Sequence, residues 1–209
     1  MKRWMMIGLL ISLSSASIYA QESDKLHLSG SLQSDMLLAQ KDSATGAEAT
    51  GSRFRTNTYL DLRLSNRYFE AGARLEYMPH PLPGYESDFK GWGVPYAYLK
   101  GRYKNAELTL GSFYEQFGSG FILRSYEERS LGIDNSLQGA RLNYLPCAGV
   151  AVKLLTGRQR RYWHHNKSWM TGADVEWNME ESFKSLQEHN TYIMLGGSYL
   201  NKYERDEVV

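Results

Sequence analysis

Cysteine is almost absent from this chain: Cys147 is the only one in 209 residues, so no internal disulfide can staple it. A surplus of one charge is missing too. Lys and Arg number 24 against 23 Asp and Glu, a net charge of +1, which excludes a nucleic-acid partner chosen by bulk field. Beyond residue 20 no apolar run approaches the ~20 residues that a helical membrane span requires, so the mature chain has no helical span. Catalytic signatures are wanting as well. There is no G-x-S-x-G elbow, Gly-rich phosphate loop, metal box or dinucleotide fingerprint, so no cofactor and no enzyme are expected.

What is abundant is aromatic and small: 15 Tyr, 5 Trp and 19 Gly, at a mean hydropathy of -0.49. The first residues, MKRWMMIGLLISLSSASIYA, have a basic start, an apolar run from Trp4 to Leu13 and small residues before Ala20. That pattern is a secretory signal, which predicts export and a mature chain of residues 21–209. No Cys follows the expected cut, which disfavours a lipid-anchored start.

Alternation of apolar and polar residues predicts about nine strands. They fall near 26–38, 54–65, 68–78, 94–103, 106–113, 136–145, 149–157, 171–178 and 191–200. Long connections at 39–53, 79–93, 114–135 and 158–170 alternate with short ones at 66–67, 104–105 and 146–148. The last connection, 179–190, is medium, and its SFKSLQEH suits a helical turn. Tight turns at one rim and extended loops at the other are the layout of an outer-membrane barrel.

The two faces of these strands differ in kind. One carries Asp61, Arg63, Glu70, Arg74, Glu76, Lys100, Arg102, Glu107, Arg141, Lys153, Asp174 and Glu176. The other carries Leu60, Leu62, Leu64, Ala71, Ala73, Leu75, Leu99, Leu108, Leu110, Leu142, Val152, Leu154 and Val175, with no charge. Arg or Lys at the bilayer midplane of a barrel costs ~2–4 kcal/mol, which explains such sorting if the second face meets lipid. The charged face then lines a lumen. Phe69, Tyr103, Tyr144 and Trp177 fall on the apolar face at the short-turn end, the level of an interfacial belt. A soluble exported β-sandwich also alternates, but its core favours bulkier residues than Ala71, Ala73, Ala97 and Ala140.

The run GSFYEQFGSGFILRSYEERSLGIDNSLQGARLNY, residues 111–144, and the later LGGSYLNKYE resemble an uncharacterised outer-membrane β-barrel family of the Bacteroidota, a domain of unknown function. The resemblance covers most of the mature chain. It implies outer-membrane lipid and the barrel assembly machinery as partners, and it supplies no activity or catalytic residue. A closed single-chain barrel needs an even strand number, and members of that family are longer. The expectation is therefore an all-β, antiparallel up-and-down transmembrane β-barrel, incomplete at its C-terminus, with about 8–10 strands present.

Function is expected first in the loop 114–135. Gly118 and Gly120 permit a sharp path there, and Arg124, Glu127, Glu128 and Arg129 can either fold into the lumen and narrow it or pair with one another at the rim. The lumen set holds six basic and six acidic residues, so either a passive pore with weak ion preference or a barrel plugged by its own side chains fits. His164 and His165, beside Arg158, Arg160 and Arg161, read as a solvated basic rim patch able to touch anionic headgroups. A metal site needs ligands from more than one place, and none is expected. The alternative of an outer-membrane hydrolase rests on Ser119 or His165, while His27, His80 and His189 lie in separate regions.

Overall fold

A computed structural model describes residues 25–40 and 52–204. The expected signal, residues 1–20, lies outside the described residues, as do 41–51 of the first long connection and 205–209.

Nine long strands form one antiparallel sheet in which each strand pairs with its neighbours in sequence. They are β1 (His27–Leu38), β2 (Phe54–Ser65), β3 (Phe69–His80), β4 (Gly91–Tyr103), β5 (Ala106–Phe113), β6 (Leu137–Cys147), β7 (Val150–Arg161), β8 (Trp169–Asn178) and β9 (Met194–Tyr203). β1 and β9 are the free edges, with no ladder between them among the described residues. Every strand expected from alternation is present. β7 extends past the expected end because its polar tail still has partners: Gln159 pairs with Leu137, and Arg160 and Arg161 pair with His165 and His164. β9 starts late because the preceding residues close the 179–193 connection, where two short helices, α1 (Met179–Ser182) and α2 (Lys184–Glu188), are followed by a Met179 N–H bond to the Ile193 carbonyl.

Burial is reversed relative to a water-soluble sheet. On the charged face the Glu76 and Asp174 side chains are 2% and 1% exposed, whereas Leu99 and Leu110 on the other face are 51% and 47% exposed. The charged face is concave. Glu76 on β3 and Arg160 on β7 lie four ladders apart, about 19 Å in a flat sheet, yet their side chains meet at 2.7 Å.

Gly111, Gly139 and Gly157 stand side by side across β5, β6 and β7. A Cβ on Gly139 would sit 2.0 Å from the Thr156 carbonyl oxygen, and one on Gly111 would sit 2.4 Å from that of Ala97. Only glycine admits so close an approach of neighbouring backbones, and such rows are how strands turn corners. Around this row, Phe113, Phe117, Leu123, Leu137, Leu155 and Met170 form a small apolar core on the concave side, with Leu200 packed against it.

Candidate functional site

The segment after β5 folds into the concavity. It leaves Phe113 through Tyr114 and Glu115, makes a tight turn at Gly118 and Gly120 (φ +48° and +85°), and returns with the Phe117 N–H bonded to the Leu123 carbonyl. Both turn glycines are left-handed, which is the reason the turn can be this tight. Phe117, 1% exposed, sits over Gly172, where an added Cβ would come within 2.8 Å of its ring. The chain then forms a two-stranded ribbon, Glu127–Glu128 against Ile133–Asp134.

Charged side chains fix that ribbon to distant strands. Glu127 accepts from Arg74 of β3 at 2.7 Å and from Arg129 at 2.8 Å. Arg129 also donates to Gln33 of β1 at 2.7 Å and to Asp61 of β2 at 3.3 Å, and its guanidinium lies 4.2 Å from the centre of the Tyr59 ring. Burial opposes the Arg129 charge, but the bond to Glu127 and the surrounding carboxylates outweigh it and raise its pKa. Asp134 takes a bond from Arg160 at 2.5 Å, and the same guanidinium makes a two-pronged pair with Glu76 at 3.0 and 2.7 Å. At the loop base, Glu115 meets Arg141 at 3.3 Å and Lys153 at 3.5 Å.

Below the ribbon, toward the short turns, lies a cavity of about 930 Å³. Tyr96 and Tyr114, stacked with ring centres 5.3 Å apart, stand beside Arg74 on its wall. Arg63, Arg74, Lys100, Arg141, Asp61 and Glu70 line it, with the hydroxyls of Ser29, Ser31 and Thr109. The Tyr114 hydroxyl and the Arg141 Nε are buried there without a hydrogen-bond partner.

A family model described as a family of unknown function, DUF6029, matches residues 1–209. The chain belongs to the DUF6029 family. No curated protein matches the sequence.

In this DUF6029 chain the expected charged face is a contiguous surface. Asp61, Arg63, Glu70, Arg74, Glu76, Lys100, Arg102, Glu107, Arg141, Lys153 and Asp174 all take part in its ion pairs, and Glu176 shares their side of β8. Of the loop residues, Glu127 and Arg129 enter the concavity. Glu128 and Arg124 do not: Glu128 caps a short turn through Ser130, which lowers its pKa, and Arg124 lies over the Tyr126 ring. Phe113 and Phe117 anchor the loop in the apolar core.

The basic rim patch needs correction. Arg160, its side chain 1% exposed, points inward, and Arg158 donates to the carbonyls of His165 and Asn166, so neither is free to meet a headgroup. Arg160 is drawn inward because the carboxylates there need a donor, and Arg158 is held by the carbonyls of its own hairpin. Burial, together with Arg158, Arg160 and His164, pushes the His165 pKa down. Ser119 stands exposed on its turn. No group of three or more metal-ligating side chains that could hold an ion occurs among the described residues.

Asp134, Glu115, Tyr59 and Tyr85 complete the site and, Asp134 apart, have no sequence signal of their own. Tyr85 bonds the Arg129 carbonyl and the Tyr59 hydroxyl from the 81–90 connection. Only Asp134 carried a hint, as an acid a few residues beyond a run of acids and bases in a long loop.

Proposed function

We propose that this chain is the wall of an outer-membrane β-barrel, with its Leu- and Ala-bearing face in hydrocarbon and its charged face around an interior that the 114–136 loop narrows. The reversed burial supports this reading most directly. Leucines half exposed over the whole convex face, opposite charges that are buried and paired, are uneconomical in water and favourable in lipid. A sandwich would cover that face with a second sheet, and among the described residues none packs on it. Tyr103 and Tyr144, 72% and 44% exposed near the short turns, suit an interfacial belt.

The role that follows is passive: a constricted passage for small solutes, or a structural surface protein whose interior is filled. The loop favours constriction, because it is tied at both ends to opposite parts of the wall. Membrane lipid and the assembly machinery that inserts barrels are its proposed partners.

Liposome swelling tests this. Vesicles carrying the intact protein are expected to swell slowly in small sugars, and a variant with residues 116–134 replaced by a short Gly-Ser link to swell several-fold faster. Equal rates would refute the constriction. Signal-free protein that stays monodisperse in buffer without detergent would refute the membrane reading itself.

A further inference from the structure

The carboxylates in the short-turn half of the concave face are already engaged. Glu70 accepts from the Tyr98 hydroxyl and from Arg102 at 3.2 Å, and Glu107 accepts from Arg102 at 3.2 Å and Arg141 at 3.3 Å. Two cations there hold only long ion pairs, with no hydrogen bond to a carboxylate. Arg63 comes no nearer than 3.7 Å to Glu70, and Lys100 no nearer than 3.7 Å to Glu107, beyond a proper hydrogen bond. Both line the 930 Å³ cavity, where cationic residues outnumber acidic ones four to two. The volume lies within the ~300–1,000 Å³ of small-molecule sites.

The register supplies further donors. Ser29 of β1 stands opposite Arg63, and Ser31 stands opposite Asp61 in the same ladder, so two hydroxyls share a wall with the guanidinium. Across Gly72, Tyr98 lies so close that an added Cβ would be 2.4 Å from its ring, and its hydroxyl bonds the same Glu70 oxygen that Arg63 approaches. The Arg63 side chain is 61% exposed, although it belongs to a face whose other charges are largely covered.

We infer that this cavity binds a small solute bearing an oxyanion, a carboxylate or a phosphate, held by Arg63 and Lys100 with Ser29 and Ser31 beside them. A guanidinium fork suits a two-oxygen anion, and a charge-assisted bond is about twice as strong as a neutral one. A cation finds no unengaged carboxylate here. The inference rests on the reading of the concave face as a water-filled interior.

Titration calorimetry on the full chain folded in detergent decides it, with inorganic phosphate, succinate and sucrose as probes. Phosphate, succinate or both are expected to bind, more weakly as salt rises, and sucrose is not; which anion binds identifies the source. R63Q and K100Q are each expected to weaken that binding by at least about tenfold, R63K to retain part of it, and R124Q to leave it unchanged. Unchanged affinity in R63Q and K100Q, sucrose bound as well as the anions, or no heat from either anion with protein whose far-ultraviolet dichroism is that of a folded sheet would overturn it. The membrane reading fails by a different observation, solubility without detergent, so the two are separable.

Discussion

Arg160 is the side chain on which two regions of the chain depend. It satisfies Glu76 and Asp134 together, and with it gone these two buried carboxylates keep only Arg74, 3.9 Å from each, as a cation. Breaking a buried pair by removing one partner costs about 3–5 kcal/mol. R160A is therefore expected to lower unfolding stability in detergent micelles by that amount, as read from urea titration. A loss below about 1 kcal/mol, the range of exposed ion pairs, would mean that the cluster is solvated. That this Arg belongs inside was not legible in RQRRYWHH, where neighbouring cations look alike. Its partners are 84 and 26 positions away, and only the curl of the sheet selects the one that faces them.

At the scale of elements, the strands were legible and the loop was not. A strand with different solvents on its two sides writes that difference into every second residue, so its existence and facing survive without neighbours in view. The 114–136 segment has no period. Its path is set by contacts with β1, β2, β3 and β7, and its apolar anchor needs the bare backbone of Gly172 on β8. That dependence is testable. G172V would place atoms within 2.8 Å of Phe117 and 2.9 Å of Leu200, an overpacking worth about 1–3 kcal/mol. Phe117 is expected to leave its seat, and limited chymotrypsin digestion is expected to cut faster at Phe121, which is already 94% exposed. Unaltered digestion and stability would show that the loop is held by its ion pairs alone.

For the molecule as a whole, the question is which solvent the convex surface meets. L110R puts a charge in the middle of that surface, on a residue with no polar role. In a bilayer it is expected to reduce folding stability by about 2–4 kcal/mol, measured by urea-controlled refolding into lipid vesicles. On a surface bathed in water the same change stays within about 0.5 kcal/mol. The sorting of charges by face made this surface legible from sequence, whereas curvature was not, because a lone glycine gives no sign that it will align with two others across a sheet.

The glycine row also divides the interior into two unlike stretches. On the loop side of the row stand Phe113 and Leu137, under Phe117, and on its short-turn side stand Thr109, Arg141 and Lys153. A molecule lying against it would be set along the strands, its hydrocarbon end toward the loop and its hydrophilic end toward the tight turns.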